Sequence, residues 1–135
     1  MITMNFPFAK LFKKPLKAVP DALVKQLFIS FPEAKNVEWE FKNNIYEAIF
    51  YLNDIEHIAQ ISKKGELLEY KKNLWPDELP EIIKKAGKAH GEIMNGIIIC
   101  RGQETIYEMI IRNEKLDRYE FLFTKNGELL NHALL

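Results

Sequence analysis

Cysteine is nearly absent: Cys100 stands alone among 135 residues. That excludes an internal disulfide and any zinc site built from several cysteines. No apolar run approaches the ~20 residues that a membrane-spanning helix needs, so no transmembrane segment is expected. Six glycines and six prolines are too few for a fibrous or low-complexity protein. Net charge is missing as well, with 19 basic against 19 acidic side chains, which argues against a nucleic-acid partner. His57, His90 and His132 lack the i, i+4 helical spacing of a metal pair. There is no phosphate-cradling glycine loop, dinucleotide fingerprint or nucleophile elbow. The chain therefore reads as not an enzyme, with no catalytic residue, metal or cofactor expected.

What is present is enough apolar material for a core. Hydrophobic residues make up 47% of the chain, and a single domain of this length buries roughly two-thirds of its unfolded surface. Charge is distributed unevenly. Residues 1–18 hold Lys10, Lys13, Lys14 and Lys17 and no acid, interleaved with Phe6, Phe8, Leu11 and Phe12. The lysines interrupt the unbroken apolar stretch that a cleavable export signal requires, so none is expected there. This basic arm reads in two ways: as an amphipathic element for an anionic membrane or acidic partner, or as a lead-in whose aromatics pack on the domain. Pro7 and Pro15 interrupt a long surface helix and favour the second reading.

The remainder, residues 19–135, repeats itself. Val19-Pro20-Asp21 recurs as Leu79-Pro80-Glu81, Ile45-Tyr46-Glu47-Ala48-Ile49 as Ile106-Tyr107-Glu108-Met109-Ile110, and Lys64-Gly65-Glu66-Leu67-Leu68 as Asn126-Gly127-Glu128-Leu129-Leu130. The offset drifts from 60 to 62, and the last step fits a turn at Asn53-Asp54 lengthened to Asn113-Glu114-Lys115. Two copies of one unit are expected, at 19–72 and 76–135.

Each copy opens with a helix. Val19, Leu23, Leu27 and Phe31 recur every four residues, with Val24 and Phe28 alongside; Pro20 suits the first turn and Pro32 stops the helix after Phe31. Leu79, Ile82, Ile83 and Ala86 form the second, shorter stripe. Strands follow. Val37, Trp39 and Phe41 alternate with Glu38, Glu40 and Lys42, the period of a half-buried strand. Turn signals at Asn43-Asn44, Asn53-Asp54 and Lys63-Lys64-Gly65 separate it from Ile45–Leu52, Ile55–Ile61 and Glu66–Lys71. The second copy has strands at Ile93–Arg101, Thr105–Arg112, Leu116–Thr124 and Glu128–Leu134. The fold class is α+β: one helix plus a four-stranded antiparallel meander, twice, with helices on one face of the sheet and the other face open.

Phe31-Pro32-Glu33-Ala34, then Asn36-Val37-Glu38-Trp39, Tyr46-Glu47-Ala48, Gly65-Glu66-Leu67 and Leu79-Pro80 together resemble the PepSY-like family, also described as β-lactamase-inhibitor-like. The resemblance covers residues 18–135. It implies a doubled helix-plus-four-strand unit with a concave open face, an extracytoplasmic location (periplasmic or secreted) and a role in binding other proteins. It brings no catalytic residues with it. The missing export signal is where this sequence departs from the family, and it leaves the cytoplasm as the alternative.

Alternation then assigns faces. Tyr46, Ala48, Phe50 and Leu52, like Tyr107, Met109 and Ile111, should meet the helices. Glu47, Ile49 and Tyr51, and Glu108, Ile110 and Arg112, should face away, joined by Glu56, Ile58 and Gln60 and by Arg118, Glu120 and Leu122. An apolar group ringed by charges is what a protein-binding surface looks like. The candidate partner-binding residues are Glu47, Ile49, Tyr51, Ile58, Glu108, Ile110, Arg112, Arg118 and Leu122, with Tyr51 and Arg112 or Arg118 as anchors. The expected partner is an unidentified protein, a peptidase or other hydrolase that this face inhibits; a second copy of the chain, as a homodimer, is the other candidate partner. The competing function is a small-ligand or envelope-stress sensor with a pocket between sheet and helices. His57 should point inward or lie at an edge with its tip hydrogen-bonded, Cys100 should be a buried structural thiol, Trp39 should lie in the core, and Trp75 should cap the joint between the copies.

Overall fold

A computed structural model describes residues 19–135. The expected basic arm, residues 1–18, lies outside the described residues. The described chain falls into two compact units that divide between Lys72 and Asn73.

The first unit begins with α1 (Asp21–Ser30), followed by β1 (Lys35–Lys42), β2 (Ile45–Leu52), β3 (Ile55–Ser62) and β4 (Leu67–Leu74), which runs through the division. Neighbouring strands pair antiparallel in chain order. Two-residue turns at Asn43-Asn44 and Asn53-Asp54 enforce this: all four residues have positive φ, between 51° and 63°. That is the conformation of the tight turn whose twist matches paired strands, and Asn and Asp tolerate it well. Leu23 and Leu27 of α1 pack on Ala48, Phe50, Ala59 and Ile61, with Trp39, Tyr46 and Tyr70 half-buried around them. The helix-facing set therefore follows the alternation. Phe28, however, is exposed, because the stripe that reaches the sheet is narrower than its flanks. Phe31 ends the helix, with its ring tilted against Phe50 at 4.9 Å and stacked on Tyr70 at 5.2 Å, ring centre to ring centre.

The second unit has a single 3-10 turn (Pro76–Glu78), α2 (Glu81–Lys88), β5 (Glu92–Arg101), β6 (Glu104–Arg112), β7 (Arg118–Thr124) and β8 (Leu129–Leu134). β5 to β8 also pair antiparallel in chain order. Leu79 and Ile83 pack on Tyr107, Met109, Ile111, Phe121 and Phe123, forming a separate core. Gly96 allows the close approach of this layer, since a Cβ there would stand 2.9 Å from Leu79 Cδ2. Trp75 is 47% exposed, and its backbone N–H donates to Glu78 Oε1 at 2.8 Å.

Two turns repeat bond for bond. Ser62 Oγ accepts from the N–H groups of Lys64 and Glu66, and Thr124 Oγ1 from those of Asn126 and Glu128. Gly65 and Gly127 take φ of 91° and 85°, where a side chain would be strained. The β6–β7 loop is longer than the β2–β3 turn: Arg112 sits opposite Arg118, whereas Tyr51 sits opposite Glu56.

Candidate functional site on the sheet faces opposite the helices

In the first unit, register fixes which side chains share the face away from α1. Reading across the strands, Glu40, Glu47, Gln60 and Glu69 form one row, and Glu38, Ile49, Ile58 and Lys71 the next. Tyr51 and Glu56 lie opposite each other beyond them. Two side-chain hydrogen bonds cross β2 and β3: Gln60 Nε2 donates to Glu47 Oε2 at 3.1 Å, and the Tyr51 hydroxyl donates to Glu56 Oε2 at 3.2 Å. Lys71 Nζ lies 3.8 Å from Glu69 Oε2.

Two of the expected contact residues lie on the expected face but are buried. Ile49 and Ile58 do not stand in solvent: their exposures are 0% and 1%. They are a directly opposed pair in the middle of the sheet, with the Gln60–Glu47 and Tyr51–Glu56 hydrogen bonds on the neighbouring rows. They form a floor. Glu47 and Tyr51 are half-buried at its margins.

Sequence reasoning placed Glu56 on this face but did not single it out. It is 1% exposed, and its Oε1 has no hydrogen-bond partner. The signal was available, because Tyr51 and Glu56 flank the Asn53-Asp54 turn symmetrically and so must pair. Burial pushes the Tyr51 phenol pKa up, and the negative charges of Glu56 and Glu38 push it further in the same direction.

On the helix side, His57 is 4% exposed, stacked on Phe50 and tilted against Tyr70. Its Nδ1 shares a 2.5 Å hydrogen bond with the Tyr70 hydroxyl. Burial lowers its pKa to about 4, with a smaller contribution from the Lys72 charge. The ring is a core element with its tip satisfied.

The second unit presents its own face away from α2. Glu108 lies opposite Leu122, Ile110 opposite Glu120 and Arg112 opposite Arg118. Glu108, Ile110, Arg112 and Leu122 are half-buried and Arg118 is exposed. On β5 the same face continues through Asn95, Ile97 and Ile99, all buried. Arg112 is already engaged, with its Nη2 donating to Glu92 Oε1 at 2.6 Å. Glu47 and Glu108 belong to different units, and each sits within its own row of neighbours. Cys100 on β5 is half-buried opposite Thr105. His90 and His132 both stack on Phe121, at 4.6 and 5.5 Å.

Among the described residues no cluster of three His, Cys, Asp or Glu side chains is arranged to hold a metal. No described helix is long and apolar enough to cross a membrane. A depression open to solvent is lined by residues 32–36 and 51–54, at the end of the strands rather than between sheet and helix.

No family model matches the sequence, and no curated protein matches it. Solved structures do share the fold. A Bacteroides eggerthii protein described as periplasmic superposes with a TM-score of 0.76 at 21% identity, covering 87% of this chain and 90% of that one. A DUF2874 family protein from Bacteroides uniformis gives 0.74 at 20% identity, covering 87% and 90%. A BLIP-like protein from Bacteroides fragilis gives 0.72 at 17% identity, covering 94% and 92%. At these identities the likeness establishes a BLIP-like fold.

Proposed function

We propose that this chain is a non-enzymatic, inhibitor-like binding domain that works outside the cytoplasm and grips a protein partner, such as a peptidase or other hydrolase, through the sheet faces its helices leave uncovered. The observation that carries this reading is the make-up of those faces. A buried apolar floor, Ile49 and Ile58, is bordered by Tyr51 and Glu47; half-buried Ile110 and Leu122 stand among Glu108, Arg112 and Arg118. Apolar centres with charged rims suit protein recognition. The BLIP-like and periplasmic descriptions of the structural neighbours point the same way. The reading treats the two units as copies of one element, supported by the matching sequence segments and by the identical bonding of the turns at Ser62 and Thr124.

The contact set is accordingly Glu47, Tyr51, Glu108, Ile110, Arg112, Arg118 and Leu122, with Ile49 and Ile58 as the floor beneath. The test is affinity capture from periplasmic extract with the full chain and with a variant carrying Ile110→Asp and Arg118→Glu. A partner retained by the first and lost by the second, with circular dichroism unchanged, is the expected result. Capture of the same protein by both chains overturns the assignment.

A further inference from the structure

We infer that β8 is a self-association edge: two copies of the chain join antiparallel along β8, about a two-fold axis at Ala133. This goes beyond the proposed function, whose contact residues and floor lie on β2, β3, β6 and β7, and does not depend on it.

Three observations converge. The first concerns the backbone. Among the described residues β8 pairs with β7 alone, so one of its two edges carries no ladder. The Leu135 N–H donates to the Arg118 carbonyl at 2.9 Å. Antiparallel bonding falls on every second residue, so Ala133 and Asn131 also turn their N–H and C=O toward β7. Those of His132 and Leu134 point off the sheet. A bare row of this kind calls for one sort of occupant, another extended strand.

The second is the absence of edge protection. Proteins blunt such strands with charges, prolines or bulges. β1, at the other end of the strand order, is protected in this way: Lys35, Glu38, Glu40 and Lys42 lie along it, and its register shifts between Lys35 and Glu38. β8 shifts register once near its start, opposite Leu122 and Phe123, and runs straight from Asn131 onward. Residues 129–135 include no Lys, Arg, Asp or Glu and no proline. All of Leu129–Leu134 is exposed, and the exposures of Leu134 and Leu135 reach 63% and 64%.

The third is that the strand complements itself, which selects a second copy as the occupant. A two-fold axis at Ala133 sets His132 of each copy opposite Leu134 of the other, so the backbone groups that point off one sheet meet those of the other. Ala133 then meets its own copy at the close non-hydrogen-bonded spacing of ~4.5 Å, which a methyl side chain fits. On the helix side Leu134 lies opposite Tyr119, and His132 opposite Phe121 with ring centres 5.5 Å apart. The pairing extends both rows and covers the bare leucine. It brings no like charges together along the strand, and with 19 basic and 19 acidic side chains in the chain no net repulsion holds two copies apart. The straight stretch, residues 131–135, is short, so the contact falls in the weak, reversible class, with a Kd of ~100 µM.

The test is sedimentation equilibrium of the full chain up to a concentration of ~1 mM, ten times the expected Kd. The native sequence should pass from monomer to dimer across that range. Leu134→Pro deletes an N–H that points off the sheet, and proline is tolerated on an edge strand in that orientation; it should raise the Kd at least ~10-fold. Leu134→Lys places a charge on the same edge and should do likewise with the backbone unaltered, so a folding defect in the proline variant does not decide the matter. Amide exchange at His132 and Leu134 should slow with concentration in the native chain, and in the Leu134→Lys variant the His132 amide should not slow. A native chain that stays monomeric at ~1 mM overturns the proposal. So does a dimer that both variants leave as strong as before, which would place the contact elsewhere. The Ile110→Asp, Arg118→Glu chain keeps β8 and should dimerise like the native one, so failure of the partner reading and failure of this one are separately visible.

Discussion

Acidification should weaken the first unit through one side chain. His57 has a pKa of about 4 in the folded protein, against ~6.5 in an unfolded chain. The unfolded state therefore takes up a proton first as pH falls, and stability drops between pH 6.5 and 4. Above that window the group contributes nothing to the pH dependence. The gap corresponds to a loss of about 2 kcal/mol by pH 5 and about 3 kcal/mol by pH 4, at about 1.4 kcal/mol per unit. The geometry supports a full effect, because the ring is 4% exposed between Phe50 and Tyr70 and cannot turn outward to hydrate its charge. The measurement is urea unfolding at pH 7, 6, 5 and 4 for the native sequence and for His57→Phe, which keeps an aromatic ring in the stack. The native midpoint should fall steeply below pH 6.5, and the variant's should fall less by the stated amounts. Equal losses for the two chains would refute the argument, because the proton uptake would then belong to other groups.

Two further outcomes test the packing. Ile83→Ala should destabilise the second unit by about 2–5 kcal/mol through the cavity it leaves, whereas Ile82→Ala should change thermal stability by less than about 1 kcal/mol; the first side chain is 0% exposed and the second 51%. Gly91→Ala should also lower the melting temperature sharply, because the new Cβ would stand 2.4 Å from the Arg112 carbonyl oxygen at a φ of +151°, and backbone cannot yield as a side-chain tip does.

The sequence by itself determined the elements and the faces. Apolar residues every four positions located α1, asparagine pairs located the tight turns, and strict alternation sent Ala48 and Phe50 to one side and Glu47 and Ile49 to the other. Such patterns are local: helical period, turn conformation and strand period each follow from a few neighbouring residues. Pairing across a two-residue turn is nearly as local, which is why Tyr51 and Glu56 could have been matched in advance.

Only tertiary structure decided how much water reaches each side of the sheet. Alternation tells which way Ile49 and Ile58 point but not how completely water is kept from them; their exposures of 0% and 1% are a property of the folded chain. The same holds for the unpartnered oxygen of Glu56 and for the depressed pKa of His57. Solvent exclusion and charge burial are sums over three-dimensional surroundings, and no one-dimensional period carries them.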